Sequence, residues 1–258
     1  MWTKIEKLIG DKKKSSEIFD SISFNNRYLK NELDIANGFN RYFVNSIKHI
    51  IKEVESNDVS TGYNHKELVD NFDNSKIWGK FDEVSVLEVE KIINNLDVNK
   101  GANNDLNAVI VKKIWDCNRN IILSMLDCSL NLGIVPNCWK VSVITPISKI
   151  KNSDKAENFR PINTLPILKQ ILERIVKTQL EKFIEDNVIS DVGQSCYRKY
   201  FSCESALQDL LTKWRKDLDD GMWIRIIFID FTRAFETVDR KVLIDLLRKI
   251  GLRGIVLD

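Results

Sequence analysis

The stretch IRIIFIDFTRAFETVD, Ile224 to Asp239, decides how this chain is read. Its first half is β-prone and apolar on both alternating faces, and it stops at an acid, Asp230. That pattern predicts a strand (WIRIIFIDF, 223–231) in the middle of a sheet, delivering a carboxylate to the sheet's edge. The second half is amphipathic and carries Glu236 and Asp239. A helix is predicted from about Arg240 to Ile250, with Asp239 as its cap and Gly251 as its stop. Three chemistries place an acid this way. A Walker B acid needs a GxxxxGK[ST] loop, which none of the ten glycines supplies. A phosphoaspartate enzyme of the DxD type needs an acid where Thr232 stands. A polymerase palm needs an aspartate to hold the divalent ions that activate a 3′-hydroxyl. On spacing alone, a solvated acid at a strand end with no chemistry satisfies the same pattern.

The remaining composition narrows the classes. With 258 residues, the chain is long enough for a sizeable core, and 43% hydrophobic with 29% charged residues is the balance of a soluble globular protein. A net charge of +2 is too small to name a partner. The five cysteines, Cys117, Cys128, Cys138, Cys196 and Cys203, form no CxxC pair, so reduced and buried thiols in an intracellular protein are expected. The opening MWTKIEKLIGDKKKSS lacks the apolar core of a signal peptide, and no apolar run reaches membrane-spanning length. His49 and His65 are the only histidines, which argues against a histidine zinc site or a Ser-His triad.

The amino-terminal part, residues 1–134, reads as mostly helical. In NELDIANGFNRYFVNSIKHIIKEVE, the residues Ala36, Phe39, Phe43, Ile47, Ile50 and Val54 keep helical spacing. A capping-box pattern, Ser85 to Glu88, opens a helix whose Val86, Val89, Ile93 and Leu96 share one side. Two further helices are predicted at 107–116 and 119–132, the second stopped by Gly133. From about residue 135 the character changes. VSVITPI (141–147) reads as a strand, and SKIKNSDKAENFRP (148–161) as a polar loop holding Lys149, Lys151, Lys155 and Arg160. A long helix follows Pro166, with Ile167, Ile171, Ile175 and Phe183 facing inward. Another helix, SCESALQDLLTKWRKDLDDG, is closed by Gly221.

The blocks NFRPINTLPILKQILERIVKTQLEKFIEDNVIS, GQSCYRK and FIDFTRAFETVDRKVLIDLLRKIGLRG resemble the reverse transcriptases of non-LTR retrotransposons, most like the jockey-type elements. NCWKVSVITPISKI resembles the fingers segment of that family, and MWTKIEKLIG and IANGFNRYF resemble the stretch preceding its polymerase domain. The resemblance implies an α/β fold. Polymerase fingers and part of a palm would occupy 135–258, preceded by the helical region 1–134. It implies RNA-directed DNA polymerase chemistry, with an RNA template, a DNA primer, deoxynucleoside triphosphates and magnesium. Asp230 matches the first metal-binding aspartate, and the Phe231 carbonyl is implied to help hold the second ion. Phe231, Thr232 and Phe235 fall in the nucleotide-binding segment. Phe235 matches the bulky residue that excludes a 2′-hydroxyl. Arg160 matches the fingers arginine that meets the triphosphate, with Lys149 or Lys151 as its basic partner, and Arg198, beside Tyr197, matches the second contact box.

Departures from the family pattern are also legible. Ser195 and Cys196 stand where Phe-Gly is usual, Glu236 where Asp is usual, Arg240 where His is usual, and Asn103 where Gly is usual. The family's paired aspartates and its glycine-rich segment have no counterpart; adjacent aspartates occur only at Asp219 and Asp220. The expectation is therefore a reverse-transcriptase fragment truncated after the first palm motif and inactive alone. The alternatives are a non-catalytic RNA- or protein-binding remnant and a helical interaction protein.

Overall fold

A computed structural model describes residues 21–56, 76–98, 106–187, 189 and 193–257. The readings of the opening segment, of the loop containing His65, of the Val54 side chain and of Asn103 fall outside these residues. The described architecture mixes helices with two two-stranded sheets, an α/β composition, and divides into two compact units.

Among the described residues, the first unit comprises 21–52 and 144–163. Strand β1 (Ile22–Phe24) turns into β2 (Arg27–Leu29), pairing antiparallel with Ile22 opposite Leu29 and Phe24 opposite Arg27. The two turn residues, Asn25 and Asn26, have φ of 50° and 65°. A two-residue hairpin turn that follows the strand twist needs left-handed backbone at both positions, and asparagine tolerates it. The hairpin packs on helix α1 (Glu32–Ser56), whose start is capped by the Asn31 side-chain Oδ1 accepting from the Leu33 and Asp34 amides at 2.9 and 3.3 Å. Gly38 permits the approach, since a Cβ there would lie 2.8 Å from the Phe24 ring. Strands β3 (Val143–Ser148) and β4 (Phe159–Thr164) form the second sheet. Ile22, Ile35, Phe39, Phe43, Ala156 and Phe159 make the core. Phe39 is its hub, with ring centroids 5.1 Å from Phe24, 5.6 Å from Phe43 and 5.0 Å from Phe159.

The second unit comprises the described residues of the stretches 53–143 and 164–257. Helices α2 (Val86–Asn94), α3 (Ala108–Leu132) and α4 (Ile167–Asp186) bury Val89, Ile93, Val111, Leu126, Ile171 and Ile175 against one another. Their ends are closed locally. Ser85 Oγ accepts from the Glu88 amide at 3.2 Å, Asn107 Oδ1 accepts from the Ile110 amide at 3.0 Å, and Gly133 ends α3 at φ 66°. Lys112 Nζ donates to the Asn94 and Leu96 carbonyls at 2.9 and 2.8 Å, placing a cation where α2 leaves acceptors unsatisfied. The Gln179 side chain accepts from the Asp82 amide and donates to the Asp82 carbonyl, at 2.9 and 3.2 Å. Trp78 stacks on Phe183 at 5.7 Å, and its own amide and carbonyl bond to Gly251 O and Arg253 N at 3.0 and 2.9 Å. Helices α5 (Cys203–Asp219) and α6 (Arg240–Lys249) complete the unit and bury no residue.

Most predicted helices stand, and β3 stands, but five readings are corrected. Residues 107–132 form one helix rather than two, because Asn118, where a break was read, donates its side-chain amide to the Ile114 carbonyl at 3.1 Å and leaves the ladder intact. Arg160 lies in strand β4, not in a polar loop; Pro161 beside it lacks an amide, which a strand in a two-stranded sheet can spare. Ala36 and Val86 are exposed, on the solvent sides of their helices. All five cysteines are free and exposed rather than buried; Cys117 and Cys128 lie off the α3 stripe of Val111, Trp115, Ile122 and Leu126. Finally, 223–231 joins neither sheet, and Trp223, Phe228 and Ile229 are 98%, 89% and 75% exposed. A strand apolar on both faces needs neighbours on both edges, and neither described sheet offers it one.

Candidate functional site

Asp230 sits at the end of this extended segment, exposed to solvent. Beyond it, Phe231 and Thr232 are exposed, and the chain turns at Arg233, whose φ is 54°. The Arg233 carbonyl accepts from the Glu236 and Thr237 amides at 3.0 and 3.1 Å, so Phe235 rides on a tight turn rather than inside a helix. Asp239 performs the role read for it: Oδ1 accepts from the Lys241 and Val242 amides at 2.8 and 3.3 Å and opens α6.

Within the same unit, the structure brings the second contact box to this turn. The Tyr197 ring meets the Phe235 ring edge-on, 6.1 Å between centroids. The box itself is tightly wound, with Tyr197 and Tyr200 at φ 62° and 68°. Arg198 donates to the Gln194 carbonyl at 3.1 Å, and its guanidinium lies 4.3 Å over the Phe201 ring. Lys199 Nζ lies 5.1 Å over the Tyr200 ring. This cation–aromatic interleaving is the kind of surface that nucleic-acid phosphates and bases accept. Beside it, Ser202 caps α5, and its hydroxyl holds the Glu204 carboxyl below the usual carboxylate range.

Lys149 and Arg160 belong to the first unit. Lys149 follows β3; its amide donates to the Asn158 carbonyl at 2.7 Å and its Nζ to the Glu157 carbonyl at 3.3 Å. Arg160 is exposed on β4. The intervening loop is held by the β1–β2 hairpin, through the Ser23 amide on the Asp154 carbonyl at 2.6 Å and the Tyr28 hydroxyl on the Asp154 carboxylate at 3.1 Å. That bond to a carboxylate raises the Tyr28 pKa above its ordinary value. Sequence reasoning missed this hairpin. The signal available was Asn25-Asn26 between two short β-prone runs.

The fit to magnesium can be judged from the donors. Among the described residues, no group of three or more His, Cys, Asp or Glu side chains is placed to hold a metal ion. Asp230 with the Phe231 carbonyl falls short of a magnesium sphere, so the described residues do not by themselves fit the ion.

No protein-family model matches the chain. It is similar to two retrotransposon-encoded proteins of Drosophila melanogaster. One is the "Probable RNA-directed DNA polymerase from transposon BS", 24% identical over 226 residues, which is 86% of this chain and 24% of that protein. The other is the "Putative 115 kDa protein in type-1 retrotransposable element R1DM", 23% identical over 173 residues, 66% of this chain and 16% of that protein. The chain thus carries a region like the reverse transcriptases of non-LTR retrotransposons, and it spans about a quarter and a sixth of these two relatives. Among the described residues no helix is long and apolar enough to cross a membrane.

Proposed function

We propose that the chain is the fingers and first palm motif of an RNA-directed DNA polymerase of the jockey-like kind, with residues 1–134 leading into it and 135–258 carrying it. The likeness over 86% of the chain to a protein named as an RNA-directed DNA polymerase carries this reading. The Tyr197–Phe235 contact supports it, since two segments assigned to one nucleotide site meet. In this reading Lys149 and Arg160 meet the triphosphate and Arg198 contacts template or nucleotide. Phe235 fills the volume a 2′-hydroxyl would need, Phe231 and Thr232 border the nucleotide, and Asp230 gives one carboxylate to magnesium. Guanidinium forks suit phosphate oxygens bidentately, which makes Arg160 and Arg198 the stronger anchors. The incomplete donor set among the described residues favours a second reading, in which these cations hold RNA without catalysis.

The test is a salt titration of binding to single-stranded RNA. Neutralised phosphates make the binding constant fall steeply with salt, and Lys149→Ala or Arg160→Ala should each lower the slope by about 1 while weakening binding to all sequences alike. Binding that is absent at low salt, or indifferent to salt, removes the proposal.

A further inference from the structure

A cleft in the first unit lies apart from every residue assigned above. It opens between the β1–β2 hairpin and the exposed side of α1, and its volume is about 690 Å³. Asp34, Gly38, Arg41, Asn45 and His49 follow one another along the helix at near-regular spacing and form one wall. Arg27 and Asn25 come from the hairpin and form the other. The hairpin's close seat over Gly38 fixes the separation of the walls. Three basic side chains therefore face one acid, Asp34, in an opening of the size that takes a nucleotide-sized ligand. Arg27 and Arg41 enter no ion pair among the described residues. Two arginines on opposite walls suit a phosphodiester held between forks. The amides of Asn25 and Asn45 supply donors and acceptors, the Ser46 hydroxyl, which donates to the Phe43 carbonyl at 2.9 Å, keeps its oxygen as an acceptor, and Tyr42 supplies an aromatic ring.

We propose that this cleft binds an unpaired nucleotide of single-stranded RNA, its phosphate between Arg27 and Arg41 and its base and ribose against the Tyr42, Asn45 and Ser46 side. The choice of RNA rests on the reading of the chain as part of an RNA-directed polymerase and on the hydrogen-bonding groups available to a 2′-hydroxyl. The arginines are exposed and outside the aromatic core, so replacing them leaves the fold intact.

The experiment measures fluorescence anisotropy of a short labelled single-stranded RNA with the full chain at low salt. It compares wild type, the double variant Arg27→Ala/Arg41→Ala, Asn45→Glu, and Lys149→Ala/Arg160→Ala, with circular dichroism to verify folding. Both cleft variants should bind at least about tenfold more weakly, with unchanged melting. Asp34→Asn, which removes the one acid, should tighten binding and guards against loss by misfolding. Cleft variants that bind like wild type overturn the inference, and if the Lys149/Arg160 variant is then the weak one, the proposed function survives without it. If only the cleft variants are weak, the inference stands and the assignment of Lys149 and Arg160 falls. A wild-type chain that binds no RNA overturns both. DNA of the same sequence bound as tightly as RNA overturns the assignment to RNA.

Discussion

Gly251 shows how much one position can carry. Its φ is 108°, and a Cβ there would overlap the carbonyl oxygen of Lys76, which cannot swing aside as a side chain would. Gly221 is also left-handed, at φ 75°, but a Cβ there would meet nothing within 4 Å. The pair separates backbone strain from steric overlap. Gly221→Ala is expected to cost about 1 kcal/mol, the strain alone. Gly251→Ala is expected to cost about 3 kcal/mol, because Trp78 and its bonds to 251–253 must also shift. Urea unfolding of both variants measures this; equal losses would mean that the Lys76–Gly251 packing contributes nothing. The sequence told that a glycine should stop the helix there. Why no other residue would serve depends on Lys76, a contact between segments far apart along the chain that no local pattern encodes. Asp239, by contrast, was fully legible, since a cap acts within three residues of itself.

Elements whose partners are local were legible, and those whose partners are distant were not. In α2 and α4 the apolar residues at helical period supply most of the buried ones, Val89 and Ile93 in the first and Ile167, Ile171 and Ile175 in the second. Strand β4 was hidden because its charge and its proline read as loop; only pairing with β3 makes it a strand. The opposite error occurred at 223–231. Its β-prone composition was read correctly as local preference, but preference makes a strand only where another strand accepts its amides and carbonyls. Amide hydrogen exchange tests this directly. The amides of 223–231 should exchange at nearly unprotected rates, while those of α3 around Leu126 and of α4 around Ile171 should be slowed by orders of magnitude, following the stability of the core. Protection of 223–231 equal to that of α4 would mean that the segment has found a pairing partner, in this chain or in another copy.

At the scale of the molecule, the two compact units hold two separate apolar cores, one centred on Phe39 and one spanning α2, α3 and α4. The candidate residues are divided between them, with Lys149 and Arg160 in the first and Arg198, Asp230 and Phe235 in the second. They are candidates through motif order in the sequence, whereas their geometry within each unit is set by packing, which the sequence does not display. That geometry bears on activity through the donor count. Asp230 offers one or two oxygens, and magnesium wants about six in a near-octahedral array, several of them usually water. Two ions about 4 Å apart across a reacting phosphate need more than one carboxylate, and no grouping among the described residues supplies the others. Without that preorganised charge at the transferring phosphoryl, the rate falls by orders of magnitude. We therefore expect the purified chain, given a DNA primer on an RNA template with deoxynucleoside triphosphates and magnesium, to extend no more primer than its Asp230→Ala variant does. Extension by the wild type that disappears in Asp230→Ala would show that the remaining carboxylates are supplied, by residues not described here or by a second chain, and that Asp230 works in a complete site.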